Sequence, residues 1–318
     1  DGTTTTLEVA YTNGTGTPSY QWYSNDTASN SGGNEITGAT NPSFDPPTDV
    51  VGETYYYAEI SFNSGGCDKI VSDVASVVVN QIPVISDAQI TIYSEDTFNF
   101  LPISITSNIV PAGTQYTWTT PTFSPMGSIL GSSAEVNPQN TISQTLENTG
   151  TTPIVVTYVI TPATVNCTGD PFTLEVTVNP NINSNAIVTN ISCFETNDGE
   201  ISISIEGGVP FSTGNPYLIS WSGPNSFTSN NTLISNLEAG LYTLRIEDST
   251  GFFITEEWTV TQPDILEITT DVQQNISCFQ GNDGLIEITV SGGTNPYTFN
   301  WTTTDGSGII AGAKNQNT

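Results

Sequence analysis

The chain has 318 residues, 32 of them Asp or Glu against three basic residues, with no histidine and a formal net charge of -29. That balance excludes nucleic acid and anionic membrane surfaces as partners, because neutralising phosphates needs Lys and Arg that are absent. Without imidazole there is no Ser-His-Asp triad and no ordinary His/Cys zinc site, so catalysis is not expected.

Fifty residues are Thr, and Ser, Val, Ile and Tyr are plentiful where Lys, Glu, Ala and Leu are scarce. This bias favours strands. Twenty-eight Gly and 19 Pro punctuate short apolar runs, as turns require. No stretch has sustained helical periodicity or the length of a membrane span, and no signal peptide opens the chain. The expected class is all-β. The length predicts two to four domains.

In chain order, Leu7 begins the first predicted strand, so the first domain is expected to lack an opening strand. Tyr20-Gln-Trp22 then sets two bulky residues on one strand face. Tyr55-Tyr56-Tyr57 reads as a strand with two rings inward and one outward, and Val77-Val-Val79 leads to Pro83. The bulky-x-Trp pattern returns at Tyr116-Thr-Trp118, Ile219-Ser-Trp221 and Phe299-Asn-Trp301, at Trp spacings of 96, 103 and 80 residues. Each spacing is about one β-sandwich, which predicts a core Trp in each of four domains rather than an exposed aromatic strip. Leu174-Glu-Val176-Thr-Val178 alternates into Pro180, Ile201-Ser-Ile203-Ser-Ile205 alternates again, and Trp258-Thr-Val260 leads to Pro263. Boundaries are placed at 1–81, 82–180, 181–263 and 264–318, with linkers of only a few residues.

The last two domains repeat each other. Asn190-Ile-Ser-Cys-Phe-Glu-Thr-Asn-Asp-Gly199 returns as Asn275-Ile-Ser-Cys-Phe-Gln-Gly-Asn-Asp-Gly284, Gly207-Gly208 as Gly292-Gly293, and Pro216-Tyr217 as Pro296-Tyr297. The segment Leu237–Asp248 and the strand after it have no second copy, so the fourth domain is expected to be incomplete and the chain a piece of something longer.

Two readings apply to the Asn-Asp-Gly turns. One is a tight turn feeding the next strand. The other is a calcium site on Asp198 and Asp283, with Glu195 adding a carboxylate in the first copy only. Glu256-Glu257 cannot act as a catalytic carboxylate pair, since neighbours on a strand face opposite ways. Cys67, Cys167, Cys193 and Cys278 fall one per domain, so no disulfide forms within a domain. A Cys167–Cys193 bridge across the junction is the alternative to small buried hydrophobes.

Ile191-Ser-Cys-Phe, Asn197-Asp-Gly, Gly207-Gly, Pro216-Tyr, Trp221, Ala239-Gly-Leu-Tyr-Thr-Leu-Arg-Ile-Glu-Asp248 and Gly251 together resemble the SprB repeat, found in tandem in giant surface adhesins of gliding bacteria. Tyr20-Gln-Trp-Tyr-Ser, Ile36-Thr-Gly-Ala-Thr and Gly52-Glu-Thr-Tyr-Tyr-Tyr are similar to Ig-like modules. Tyr116-Thr-Trp, Val156-Thr-Tyr-Val-Ile-Thr-Pro162 and Phe172-Thr-Leu-Glu-Val-Thr-Val-Asn-Pro180 are similar to PKD-like ones. The resemblance implies a tandem array of antiparallel β-sandwiches, secretion by a type IX system, display at the outer membrane and adhesion during gliding. It also implies contact with an extracellular surface or polysaccharide, and with motility and secretion machinery through other parts of the protein. It places a cysteine where Phe252 stands and another where Ala58 stands, so two disulfides are absent. Asp26-Thr27-Ala28 and Asp248-Ser249-Thr250 resemble the O-glycan acceptor motif of such bacteria, with Thr27 and Ser249 as the modified residues. The remaining alternatives are spacer modules of a secreted enzyme, a calcium-stiffened binding module and a filament-forming module.

Overall fold

The computed structural model describes residues 6–13, 15–63, 69–281, 283–302 and 304. Among them there is no α-helix and only one short 3-10 turn, Pro224–Ser226; no helix is long and apolar enough to cross a membrane. Everything else regular is strand, arranged in antiparallel sheets with one parallel pairing.

The first module centres on a sheet in which Pro18–Asn25 and Gly52–Phe62 pair along eight residues. Trp22, Tyr56 and Ala58 form its small core, with Phe44 stacked on the indole at 5.7 Å. The Tyr triplet departs from expectation. Tyr56, Ala58 and Ile60 share the inward parity of the strand, so only one of the three rings enters the core. Tyr57 lies on the opposite face and is buried there beneath Tyr23, at a ring separation of 5.1 Å.

The second module has a five-stranded sheet in the order Glu135–Gln139, Gln115–Trp118, Ile154–Ala163, Phe172–Asn179, Ala88–Tyr93. The last pairing is parallel and joins the module's first long strand to its final one, from Leu174↔Ala88 to Asn179↔Tyr93. Short pairs, Thr97–Phe100 with Ile142–Thr145 and Ile129–Leu130 with Glu147–Asn148, cover the other side. Strict alternation in Phe172–Asn179 buries Phe172, Leu174, Val176 and Val178 against Tyr116, Trp118 and Tyr158. The Tyr116 hydroxyl is buried with no hydrogen-bond partner among the described residues.

The third module packs a three-stranded sheet, Ile182–Thr189, Gly199–Gly207 and Leu233–Leu237, on a four-stranded one, Phe227–Ser229, Leu218–Gly223, Gly240–Glu247 and Phe253–Val260. Trp221, Tyr242, Leu244 and Ile246 meet Ile201 and Ile203 between them. The three core tryptophans solve the same problem alike, since a buried indole N–H needs an acceptor. Trp22, Trp118 and Trp221 each donate to a loop carbonyl at 2.9 Å, on Asn41, Ser133 and Asn231.

The Gly-Gly repeat has a backbone cause. Gly207 and Gly208 hold φ of 76° and 61°, and Gly292 and Gly293 hold 72° and 61°. A Cβ on Gly207 would also strike the Asn181 carbonyl, and one on Gly292 the Ile265 carbonyl. The pair lets each repeat fold back onto its own entry segment. In the second repeat the described residues form the hairpin Glu267–Gln274 with Leu285–Ser291. Ile286 is 54% exposed where its counterpart Ile201 is 0%, because nothing equivalent to the four-stranded sheet lies over it among the described residues.

Cysteine burial is not as expected. Cys193 and Cys278 are exposed and Cys167 is half-buried; all three are free thiols, so no Cys167–Cys193 bridge forms. Their loops lie at module ends rather than in cores. Cys67 lies outside the described residues.

Candidate functional site

The most developed polar cluster joins the second and third modules. Only Pro180 and Asn181 separate the strand ending at Asn179 from the strand beginning at Ile182. Across this short joint, the turn after Ala88–Tyr93 meets the turn before Phe253–Val260. The Tyr93 ring stacks on Phe252, with centroids 4.1 Å apart and an interplanar angle of 19°. The Tyr93 hydroxyl donates to Asp248 Oδ2 at 3.3 Å, beside Thr250 Oγ1.

Asp248 is the hub, 1% exposed. Its Oδ2 also accepts from the Val209 amide at 2.9 Å. Its Oδ1 accepts from the Thr250 amide at 2.9 Å, the Thr250 hydroxyl at 2.6 Å and the Phe252 amide at 3.2 Å. Burial raises the pKa of this carboxyl, but the hydrogen bonds from Thr250, Val209 and Tyr93 outweigh it and hold the group below its ordinary value. On the other side, burial and then the nearby Asp248 charge push the Tyr93 phenol up. The arrangement is an anion fixed by donors from two turns of one module and one side chain of the module before it. Its chemistry is that of a clasp, not of a reaction centre.

The sequence reading missed this cluster, although a signal existed. Tyr242, Leu244 and Ile246 are the inward residues of Gly240–Glu247, and a period of two carries Asp248 inward after them. A carboxylate in register with a core stripe needs donors. Phe252, standing where the resemblance places a cysteine, supplies the ring against Tyr93.

The residues singled out from sequence lie elsewhere or serve this joint. Asp198 closes its own turn: its carboxylate accepts from the Ser192 amide at 3.1 Å, the Ser192 hydroxyl at 2.5 Å and the Thr196 hydroxyl at 3.0 Å. Hydrogen bonds from Ser192 lower its pKa. Asp283 repeats the arrangement in part, accepting from the Ser277 amide at 3.0 Å, with its pKa lowered by the Ser277 side chain and then by that amide. Among the described residues no three His, Cys, Asp or Glu side chains gather as a metal cluster. Thr27 is exposed in a turn, with its hydroxyl 3.3 Å from Asn25 Oδ1. Ser249 is exposed, but its hydroxyl donates to the Val209 carbonyl at 2.7 Å, and the Asp of its motif is the buried hub. Glu256 and Glu257 separate as the strand requires, Glu256 accepting from Ser184 and Glu257 from Thr243.

Three family models match parts of the chain. The SprB repeat matches residues 185–226 and 270–306, and the PKD-like domain matches residues 91–182. A domain of unknown function matches residues 1–81. No curated protein matches the chain. Among solved structures, Sidekick-1 immunoglobulin domains 1-5 align over 86% of this chain and 58% of theirs, at 12% identity and a TM-score of 0.29. The N-terminal eight Ig domains of Down Syndrome Cell Adhesion Molecule align over 88% and 37%, at 13% identity and a TM-score of 0.35. Mouse Cadherin-23 EC22-24 aligns over 76% and 84%, at 10% identity and a TM-score of 0.29. The chain therefore spans little more than half of the Sidekick-1 fragment and under half of the eight-domain one. The chain is thus an all-β array of sandwich modules, of which one segment matches the PKD-like domain and two later segments match the SprB repeat.

Proposed function

We propose that the chain is a stalk segment of a very large secreted cell-surface adhesin, a gliding-motility adhesin exported by type IX secretion and held at the outer membrane through other parts of the protein. The observation that carries this reading is the clasp at Tyr93, Asp248 and Phe252, set in an array with two segments that match the SprB repeat. A spacer must hold its modules in fixed relation, and here a two-residue linker is reinforced by a buried anion and a ring stack. Modules of ordinary strand length, each about 35–40 Å, would give four beads about 140 Å end to end. The charge of -29 opposes collapse and self-association of such an array. In this role the segment holds and presents and performs no catalysis.

The test is to label the segment with a fluorescent Fab on living source cells and film it. Label travelling along the cell body supports a motile adhesin. Label that stays fixed, or is shed into the medium, overturns the gliding role, and a compact particle in small-angle scattering overturns the stalk.

A further inference from the structure

The first SprB repeat has a gap in its flank. The strand Gly199–Gly207 pairs with Ile182–Thr189 from Glu200 to Gly207 on one edge. Its other edge meets Leu233–Leu237 only from Gly199 to Ser202, and the last bond on that side runs from the Ile203 amide to the Thr232 carbonyl at 2.9 Å. Antiparallel alternation turns the N–H and C=O of Ile205 toward the same uncovered side. In the facing sheet, Phe227–Ser229 covers Leu218–Gly223 only from Trp221 onward, which leaves Leu218, Ile219 and Ser220 with a free edge. A cavity of about 470 Å³ opens between these two gaps, within the size range of small-ligand clefts.

Its floor is apolar and its rim polar. Ile205, Tyr217 and Ile219 are half-buried in the floor, and the Tyr217 hydroxyl is tied to the Gly207 carbonyl at 2.7 Å. Asn215, Asn230, Asn231 and Thr232 line the rim. The core indole of Trp221 fixes the far wall by donating to the Asn231 main-chain carbonyl, a bond that does not use the side-chain amide. None of the nine lining residues carries a charge.

We infer that this cavity binds a neutral saccharide. A side-chain amide offers a donor and an acceptor on adjacent atoms, the pattern that neighbouring sugar hydroxyls match, and three amides with one hydroxyl stand on this rim. The Tyr, Ile and Pro surfaces suit the C–H face of a pyranose ring. The lining has no carboxylate for a cation and no basic group for a polyanion, and the chain's net charge of -29 repels acidic polysaccharides. An added peptide strand fits less well, because the free edge of Gly199–Gly207 is too short for an ordinary strand.

The residues of the wall recur in the sequence, although among the described residues the second copy has no strand equivalent to Leu218–Gly223. Asn215-Pro216-Tyr217, Ile219 and Trp221 correspond to Asn295-Pro296-Tyr297, Phe299 and Trp301, and the Tyr297 hydroxyl bonds the Gly292 carbonyl as Tyr217 bonds Gly207. Weak sites repeated along an array gain avidity on a polymeric ligand. The inference goes beyond the stalk reading and does not depend on it: an array with an empty cavity remains a stalk.

The test is saturation-transfer NMR on the 318-residue chain with cellohexaose, laminarihexaose, maltohexaose, mannohexaose and xylohexaose. At least one is expected to bind, and Asn230→Ala with Asn231→Ala is expected to weaken it about tenfold, the loss of one or two amide hydrogen bonds. Asn215→Trp, which plugs the cavity from an exposed rim position, is expected to do the same while melting within a few degrees of the parent. The inference is overturned if no oligosaccharide binds at millimolar concentration, if both variants bind as the parent does, or if only an extended hexapeptide or alginate competes for the site. Should one variant fail to fold, the other decides.

Discussion

Replacing Tyr93 with Ala removes both halves of the clasp in one step. The lost ring stack on Phe252 is worth about 0.5–1.5 kcal/mol beyond its area. The hydroxyl's bond to the buried, ionised Asp248 adds about 1.5–3 kcal/mol, as bonds to charged groups do. Together they favour the closed joint by about 2–4.5 kcal/mol, so the open population should rise by roughly 30- to 2000-fold. Tyr93→Phe keeps the stack and loses only the hydroxyl, so it should fall between the parent and Tyr93→Ala. ¹⁵N relaxation reads this directly. In the parent, amides of Phe172–Asn179 and of Gly240–Glu247 should report one shared tumbling time, although they belong to different modules. In Tyr93→Ala the two sets should separate and shorten. If both variants keep the shared tumbling time of the parent, the clasp does not hold the joint.

Tyr116→Phe deletes a buried hydroxyl with no described partner and should stabilise the second module by about 1 kcal/mol, raising its Tm by several degrees in calorimetry. Gly207→Ala and Gly38→Ala both place a Cβ at positive φ, costing about 1–2 kcal/mol each, but only Gly207 faces a carbonyl. Chemical denaturation should therefore show the larger loss for Gly207→Ala. The folded-state pKa of Asp248 lies below its unfolded value, so its contribution is complete above the ordinary Asp pKa of about 3.9 and disappears as pH falls through the lowered one. The Tm difference between the parent and Asp248→Asn should thus be constant from neutral pH to about pH 5 and shrink below about pH 4. Calcium at millimolar concentration should leave the melting of the third module unchanged, since Asp198 is already engaged by Ser192 and Thr196. A rise of several degrees with calcium and not with magnesium would show that the turn opens to bind metal.

Period-two reading worked wherever one face of a strand meets a core. It put Leu174, Val176 and Val178 inward, and it identified Trp22, Trp118 and Trp221 as core residues without any knowledge of their acceptors. The same rule was misapplied at Tyr55–Tyr57. Parity allows one inward ring when Tyr56 is the core member, and the burial of Tyr57 comes from a stack on the sheet's other face that alternation cannot express. The free thiols were assigned to cores on residue type, but their loops sit at module ends, a matter of tertiary placement. Most of the joint was illegible for the same reason. Tyr93 and Phe252 are 159 positions apart, with nothing in either segment to pair them, and only Asp248 announced itself by falling in step with buried residues. The flank cavity depends on where two pairings stop, which composition and spacing do not record.

The parallel pairing of Ala88–Tyr93 with Phe172–Asn179 has a mechanical consequence. The two strands are the first long strand and the last strand of their module, and they lie side by side pointing the same way. A pull on the two ends of the module draws one strand toward its start and its neighbour toward its finish. The strands must then slide past each other, so the bonds along the pairing from Ala88 to Tyr93 are loaded together and in shear. An antiparallel terminal hairpin would instead peel open one bond at a time. Under axial tension the PKD-like module should therefore be the last of the array to yield.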